Sequence, residues 1–399
     1  MLINELPDDC LLTIFDYLNN LEDLANCYKV CIKWSHLIAE RTRKVKYLME
    51  FPENPDYSSD SVYYQGLDLS TRRETLLNTL FPNLIILHNS NLFNSNFLHS
   101  TLEFLKGVGD LENNAEDLAN EAKDLEKILQ CFRDLKSLKG IINCCDLSIE
   151  KYCDNLEMLS VSNFKPDILQ NGYNIKQLHP WYYYPDFETV LHHFPNLERL
   201  HIRTIDSQYK GPVLEKLKIL ELEVLSVDIC YAFQLINSCP NLQSAHLYVD
   251  NDRFFVDETL KHECLQDLVI DYHGGSCRDC NDLIRALIRY PNLKHLSLRN
   301  IRFIKNPSIE KLVHILPNLV LFDVSRCKKV TQKAADYVQD YCKRYGRSLK
   351  FYFKGNRDEL ASDWPQLSTK REIISRNFDF MKHCFRKRFD DLPCFLVPI

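Results

Sequence analysis

The hydrophobic residues near the start of the chain recur at the spacing of short amphipathic helices. Leu11, Phe15 and Leu18 follow one another at intervals of three or four residues, after a proline and two aspartates that favour the first turn of a helix. The pattern predicts a second short helix from near Glu22 and a third around Trp34. Three such helices bury little core by themselves and hold more large apolar side chains than they can cover. This segment is therefore expected to pack on a neighbour or to bind a partner.

From about residue 150 the hydrophobic positions form a repeat, in which each unit reads as one strand followed by one helix. The tripeptide PNL often opens the unit, and the frame LxxLxL recurs at steps of roughly 19 to 28 residues, the range of leucine-rich repeats. Helical spacing between the frames is clearest after the candidate caps Asp186, Ser308 and Thr331. A single unit cannot bury its own apolar face, so the units are expected to stack into one core. The frames are Leu156/Leu159/Val161, Ile175/Leu178, Leu197/Leu200/Ile202, Leu222/Leu225/Val227, Leu242/Ala245/Leu247, Leu265/Leu268/Ile270, Leu293/Leu296/Leu298 and Leu319/Phe322/Val324.

The repeat is much weaker between residues 46 and 150. Only Leu67/Leu69, Leu84/Leu87 and Leu138/Ile141 resemble the frame there. The pattern of residues 110–133 predicts an inserted acidic helix. Its charge is explained by a face exposed to solvent, and a contact with a basic partner is the alternative explanation. The buried stripe of this helix is predicted to consist of Leu118, Ala122, Leu125 and Leu129.

Side chains alternate along a strand, so the residues between the frame leucines are expected to line an exposed concave face. In the fourth frame this rule selects Val224, Ser226 and Asp228. The face combines a basic pair, Arg199 and Arg203, with acidic positions and with aromatic residues of the kind that dominate interfaces. Solvated polar positions are the alternative for any one residue. The residues predicted to bind a protein target are Trp181, Arg199, His201, Arg203, Asp228, His246, Tyr248, Asp267, Asp271, His295 and Arg299.

The chain leaves the repeat frame after about residue 355. A helical run near 369–385 and the apolar end 392–399 predict a terminal cap, because the last repeat has an apolar edge that needs cover. Lys382, Arg386, Lys387 and Arg388 form a short basic cluster. For this cluster a solvated helix face, a nuclear address and a phosphate contact all remain open.

Composition and charge narrow the function classes. The 399 residues carry a net charge of −6 with a pI near 6.1, so the strong basic bias of many nucleic-acid-binding proteins is absent. No apolar run reaches the length of a transmembrane helix, and acidic residues stand where a signal peptide carries Lys or Arg. The expected location is the cytoplasm or the nucleus. The 16 cysteines are expected to be reduced thiols there.

Motifs for catalysis and metal binding are sparse. The sequence holds no phosphate-binding glycine loop, nucleophile elbow or zinc-protease helix, and we predict no catalytic residue, metal or cofactor. The nearest metal candidate is Cys277-x-x-Cys280, with His262, Cys264 and His273 nearby. A predicted strand at 265–270 divides these ligands into two groups, so reduced loop cysteines are the favoured interpretation.

Residues 6–38 resemble an F-box. They present Leu-Pro-Asp, Leu-Leu-x-Ile-Phe-x-Tyr-Leu, Leu-x-Asp-Leu and Val-Cys-x-x-Trp in the family's order and without insertion. Cys10 departs from the pattern, because Glu is frequent there. In that family the motif docks on the Skp-type adaptor of cullin–RING ubiquitin ligases. The resemblance implies that the residues that form or support this contact are Leu6, Pro7, Leu11, Ile14, Phe15, Leu18, Leu24, Val30, Cys31 and Trp34.

The repeats resemble the cysteine-containing subtype of leucine-rich repeats, on the evidence of Cys239 before a PNL tripeptide and of Cys327 after a strand. The implied fold class is α/β, with an N-terminal three-helix F-box followed by a curved leucine-rich-repeat solenoid of parallel strands and helices. The implied domains are the F-box at 1–45, a linker with degenerate repeats at 46–150, the solenoid at 151–354 and a C-terminal cap or tail at 355–399.

These resemblances together predict the non-catalytic substrate-recognition subunit of an SCF-type ubiquitin ligase. The adaptor would connect it to cullin and RING subunits, and the repeats would hold a protein target near the charged ubiquitin carrier, which raises the effective concentration of the target's lysines. No nucleic-acid or membrane partner is predicted. The alternative is a scaffold whose first helices only cap the solenoid, or recruit the adaptor without target turnover. The sequence identifies neither the target nor a need for its phosphorylation, although Arg199 and Arg203 would suit a phosphate.

Overall fold

A computed structural model describes most of the chain. The described residues are 3–50, 58–64, 81–89, 135–144, 155–162, 172–182, 187–205, 208–225, 229–250, 253–257, 259–273 and 280–398. They fall into two compact units, Met1–Ile175 and Lys176–Ile399. Each unit contains its own set of parallel strands.

Three helices open the first unit, as the hydrophobic spacing predicts. A short 3-10 turn at Ile3–Glu5 precedes them, and they are α1 (Asp8–Asp16), α2 (Leu21–Tyr28) and α3 (Ile32–Thr42). Asn20 begins α2 by accepting hydrogen bonds from the backbone N–H groups of Glu22 and Asp23. The third helix begins at Ile32, so Val30 lies before it.

The strands described in the first unit pair in parallel, in the order β5-β4-β3-β1-β2. The weak frames at Leu84/Leu87 and Leu138/Ile141 are confirmed, because they lie at the start of β3 and β4. The predicted frame at Leu67/Leu69 and the acidic helix at 110–133 lie outside the described residues. The strands are β1 (Tyr47–Glu50), β2 (Ser61–Tyr64), β3 (Ile86–Asn89), β4 (Gly140–Asn143) and β5 (Met158–Val161).

The second unit is a parallel sheet in which strands β6 to β13 lie in chain order. The strands are β6 (Gln177–Pro180), β7 (Arg199–Ile205), β8 (Ile219–Leu225), β9 (Ser244–Val249), β10 (Asp267–Tyr272), β11 (His295–Arg299), β12 (Leu321–Asp323) and β13 (Lys350–Tyr352). The helices between them are α4 (Phe187–Leu191), α5 (Ala232–Asn237), α6 (Asn281–Leu287), α7 (Asn306–Ile315) and α8 (Gln332–Tyr345).

The stacked core of this unit follows the predicted frame. Leu200 of β7 pairs with Leu220, and the same row continues through Ala245, Leu268 and Leu296, all fully buried. One of the predicted caps differs in the structure, and another cannot be compared with it. Asp186 lies outside the described residues, and Ser308 lies inside the first turn of α7, where its hydroxyl accepts from the backbone N–H of Lys305.

The frame predicted for the β8 repeat is wrong, because it starts five residues too late in the sequence. Arg199 pairs with Ile219 and His201 pairs with Glu221, so the frame is Leu217/Leu220/Leu222 and not Leu222/Leu225/Val227. Val224 points into the core with 3% of its surface exposed, and Ser226 and Asp228 lie outside the described residues. The residues that alternate with the frame leucines in β8 are therefore Ile219, Glu221 and Glu223.

The C-terminal tail runs across the sheet of the second unit and does not only cover the last repeat. The predicted helical run at 369–385 is largely wrong, because the tail contains two short helices, α9 (Glu359–Asp363) and α10 (Phe380–His383), and the parallel strand pair β14 (Ile374–Arg376) and β15 (Phe395–Val397). Its apolar residues form one core with the outward side chains of four sheet strands. This core contains Ile219, Val269, Leu321, Tyr352, Leu360, Leu367, Phe380, Cys384, Phe385, Phe389, Leu392 and Leu396.

Candidate protein-interaction surfaces

The N-terminal helices hold a closed core and also expose large apolar side chains. Leu11, Phe15 and Leu24 are at most 1% exposed, and the Phe15 ring packs edge-on against Trp34 with 5.1 Å between the ring centroids. Other large apolar side chains of this segment are exposed. The large exposed ones among residues 3–50 are Ile3, Ile14, Tyr17, Val30 and Ile32. A third of the fifteen large exposed apolar residues in the described chain thus lie on this short segment.

Two buried polar residues join these helices to the turn at 58–61. The guanidinium of Arg41 is fully buried and donates hydrogen bonds to the backbone carbonyls of Phe15, Leu18 and Ser59. The side-chain amide of Asn19 donates to two further carbonyls in the turn. These hydrogen bonds therefore hold the helices on the turn that precedes β2. The exposed apolar residues take no part in this contact.

The predicted adaptor-binding residues divide by burial. Leu11, Phe15 and Leu24 form the internal core, so they can support a contact but do not touch a partner in this conformation. Pro7, Ile14 and Val30 are exposed, whereas Leu6, Leu18, Cys31 and Trp34 are half-buried. Tyr17 and Ile32 are 77% and 78% exposed and were missed by the motif comparison. Their only sequence signal is that each is a large apolar residue beside the helical stripe.

The second candidate surface is the outward sheet face of the second unit, and the C-terminal tail covers it. The prediction that its side chains are displayed is wrong for Arg199, His201, His246, Asp271 and Arg299, which are at most 3% exposed. Tyr248, Asp267, His295 and Arg203 are half-buried, and Trp181 remains 37% exposed. The physical reason is that the tail packs on this face, as the contacts of two arginines show.

Arg199 is the centre of a buried ionic group that the corrected register of β8 creates. Its guanidinium lies 2.6 Å from the carboxylate of Glu221 and donates to the backbone carbonyls of Pro393 and Cys394 in the tail. His201 Nδ1 lies 3.1 Å from the same carboxylate. Burial alone would raise the pKa of Glu221, but the Arg199 charge and the hydrogen bond to His201 lower it to about 2. An ionised carboxylate only accepts hydrogen bonds, so Nδ1 of His201 carries the proton.

Phe389 is the tail residue that closes the middle of this face. Its ring lies 4.6 Å from the ring of His201 and 5.8 Å from the rings of His246 and Tyr248. Burial lowers the pKa of His201, which Glu221 opposes, and burial together with nearby cationic groups holds the pKa of His246 well below its usual range. Both rings are consequently neutral at physiological pH.

Arg299 and Arg203 bind the part of the tail at residues 385–390. The Arg299 guanidinium donates to the backbone carbonyls of Phe385 and Lys387. Burial lowers its pKa to about 10, which Asp323 and Asp271 oppose. Arg203 lies 3.2 Å from the Glu223 carboxylate and 2.7 Å from that of Asp390 in the tail. The predicted basic pair is therefore neutralised, since each arginine has an acidic partner from β8.

The basic cluster of the tail is also divided by the structure. Lys387 is 2% exposed and lies 3.5 Å from the Glu372 carboxylate, whereas Lys382 and Arg388 are exposed. The weak metal candidate receives no support. His262 Nε2 lies 2.7 Å from the carbonyl of Cys239, Cys277 lies outside the described residues, and the described residues hold no metal-ligand group of three. All described cysteines are free thiols, and no described helix is long and apolar enough to cross a membrane.

The comparisons with known proteins give one family match, to the N-terminal helices. Residues 3–43 match the F-box-like family. Among solved structures, the chain is similar to the Rad7 and Elc1 complex of yeast, with 16% identity, coverage of 60% of this chain and 90% of that chain, and a TM-score of 0.27. It is also similar to the APL1 leucine-rich repeat domain, with 13% identity, coverage of 70% and 75%, and a TM-score of 0.29. None of the curated proteins compared with the chain matches it. The chain thus contains an F-box-like domain at residues 3–43, followed by parallel strand-and-helix repeats of the leucine-rich type.

Proposed function

We propose that this chain is the substrate-recognition subunit of an SCF-type ubiquitin ligase in the cytoplasm or the nucleus. Its F-box-like helices bind a Skp-type adaptor, which connects it to cullin and RING subunits. Its repeat unit presents a protein target for ubiquitylation. The chain itself supplies no catalytic group in this proposal, and it acts by holding target lysines near the charged ubiquitin carrier.

The observation that carries the proposal is the apolar surface left uncovered on the F-box-like domain. Ile14, Val30 and Ile32 are 42%, 55% and 78% exposed, although the core beneath them is complete. Large apolar side chains in such density on a short helical segment are typical of a protein-binding site. The segment is also the one that matches the F-box-like family.

Adaptor binding tests the proposal directly. Purified chain and Skp-type adaptor are mixed and analysed by size-exclusion chromatography and by titration calorimetry. The informative variant is Ile14→Lys with Val30→Lys, because both side chains are exposed and neither belongs to the buried core of the helices. We expect wild-type binding and a loss of at least about tenfold in the variant.

A matched control carries the same two substitutions elsewhere. Val213 and Ile288 are 62% and 53% exposed in the second unit, so Val213→Lys with Ile288→Lys changes charge and apolar surface by a similar amount. This control is expected to bind like the wild type. Absence of adaptor binding by the wild-type chain, or equal losses in both variants, would contradict the proposal.

The second candidate is a scaffold whose first helices only cap the solenoid, or recruit the adaptor without target turnover. The bonds from Arg41 and Asn19 to the turn at 58–61 favour the capping form. Reconstituted ubiquitylation distinguishes the two, since the scaffold predicts adaptor binding with no transfer of ubiquitin to any bound protein.

A further inference from the structure

The loops that follow strands β11, β12 and β13 carry a concentrated positive charge. We define the basic rim as residues 300–305, 324–331 and 353–358, which connect these strands to the next helices. Its one acidic residue is Asp358, and its basic residues are Arg302, Lys305, Arg326, Lys328, Lys329, Lys354 and Arg357. The rim therefore has a net charge of +6 (7 − 1) in a chain whose net charge is −6.

The parallel pairing brings these three loops together. His295 of β11 pairs with Leu321 of β12, which pairs with Lys350 of β13. The C-terminal ends of parallel strands lie at one edge of a sheet, and neighbouring strands are about 4.8 Å apart. The three loops thus begin within about 10 Å of one another, roughly the length of three residues of an extended peptide.

Few of these cations are neutralised by the rest of the described chain. Arg326 lies 3.8 Å from the Asp271 carboxylate, which also accepts a hydrogen bond from Asn300, and Arg357 pairs with its neighbour Asp358. The other basic side chains of the rim are exposed and have no acidic partner within ion-pair distance among the described residues. These are Arg302, Lys305, Lys328, Lys329 and Lys354.

Two helix N-termini add to the positive potential of the same edge. Helix α7 starts after the first loop and helix α8 after the second, and neither has an acidic residue in its first turn. The two ends are adjacent, because Asn306 both donates to the Thr331 hydroxyl and accepts from the Thr331 backbone N–H. Helix N-termini carry a partial positive charge, so this arrangement attracts anions.

We propose that the basic rim binds an extended acidic segment of the target protein, bearing carboxylates or phosphates. This inference rests on the proposed receptor function and moves target recognition away from the sheet face, which the tail occupies. A protein segment fits better than a nucleic acid for two reasons. The aromatic residues of the rim, Phe303 and Phe353, are 8% and 7% exposed, so they offer no stacking platform. Outside the rim the chain has a net charge of −12 (−6 − 6), which repels a long polyanion.

Fluorescence anisotropy on the full chain, measured alone and with the adaptor, tests the rim. The probes are a short labelled peptide of alternating Glu and Ser, its phosphoserine form, the same peptide with Gln for Glu, and an oligothymidine of equal charge. The rim variant is Lys328→Gln, Lys329→Gln and Lys354→Gln. The matched control is Lys261→Gln, Lys311→Gln and Lys343→Gln, since these lysines are equally exposed and lie outside the rim.

We expect the Glu and phosphoserine peptides to bind and the Gln peptide not to bind. The rim variant should lose about tenfold in affinity, because three exposed charge contacts of roughly two- to threefold each multiply, and the control should stay within about twofold. The inference is overturned if both triple variants lose affinity equally, if the Gln peptide binds as well as the Glu peptide, or if the oligothymidine binds more tightly than the peptides.

Adaptor binding, measured on the same samples, separates this inference from the proposed function. Intact adaptor binding without acidic-peptide binding contradicts the rim alone. Acidic-peptide binding to a chain that fails to bind the adaptor contradicts the ubiquitin-ligase function alone.

Discussion

Glu221→Gln is the substitution that most directly tests how the tail is held on the sheet. The carboxylate of Glu221 is fully buried, 2.6 Å from the Arg199 guanidinium, and its pKa of about 2 means that it is ionised at physiological pH. Gln keeps the shape of the side chain and removes the charge. Arg199, which is 1% exposed, then remains buried with neutral hydrogen-bond partners only.

The expected cost follows from burial. Removing one partner of a buried ion pair costs about 3–5 kcal/mol, because the remaining charge is left without compensation. Glu198→Gln is a matched control, since Glu198 lies at the same 2.6 Å from a cation, Lys218, but these side chains are 30% and 45% exposed. Exposed pairs contribute about 0–1 kcal/mol. In a unit of this size 1 kcal/mol shifts the melting temperature by about 2–4 °C, so Glu221→Gln should lower it by roughly 6–20 °C and Glu198→Gln by less than about 4 °C.

Differential scanning calorimetry gives both melting temperatures, and hydrogen exchange of the β7–β9 amides assigns the loss to the second unit. Equal shifts for the two variants would refute the reasoning, since burial is the main difference between the pairs. A shift confined to amides of the first unit would refute it as well.

Three further perturbations address other contacts. Phe389→Ala should destabilise the second unit by about 3–5 kcal/mol, because the ring fills the space between the tail and the sheet, and a melting temperature within about 2 °C of wild type would contradict this. Arg41→Met should lower the free energy of unfolding of the first unit, measured by hydrogen exchange, by about 3 kcal/mol, because three carbonyls lose their donor. Arg43 is exposed, so Arg43→Met should change this free energy little. Acidification below about pH 6.5 should destabilise the second unit by up to about 1.4 kcal/mol per pH unit for each of His201 and His246. Their folded pKa values are lowered, so the unfolded chain binds more protons in that window, and a flat urea midpoint from pH 7 to pH 5.5 would contradict this.

Under the proposed function, the filled sheet face limits where a target could bind. Displacing the tail would expose apolar side chains such as Phe385 and Leu396 together with the outward apolar row of the sheet. Each large apolar side chain contributes about 1.5–3 kcal/mol when fully buried, so a target would need to replace many such contacts. The loops at the strand ends carry no such cost, which favours them as the place where a target binds.

Local periodicity alone determined the three N-terminal helices and most of the repeats. The first three helices could be predicted because their core residues, such as Leu11 and Phe15, lie within one or two turns of each other and their spacing reports which face is buried. The frames at Leu200, Leu268 and Leu296 could be predicted for the same reason, since each strand repeats the same inward positions.

Hydrophobic periodicity could not predict the register of β8, because leucine occurs at too many positions around this strand. Leu214, Leu217, Leu220, Leu222 and Leu225 satisfy the frame in two phases, and pairing with β7 selects one of them. Because the predicted frame was wrong, the sequence did not indicate that Glu221 lies beside Arg199.

The position of the tail was decided by tertiary structure alone. Arg199 contacts carbonyls nearly two hundred residues later in the chain, and Gln177 exchanges two hydrogen bonds with the backbone of Leu396. Backbone carbonyls have the same chemistry at every residue, so no sequence pattern marks them as the partners of a particular arginine. The sequence thus determined that polar side chains alternate with the frame leucines along the strands. Long-range packing of the tail determined that the face they form is buried, and it left the basic rim of the same unit exposed.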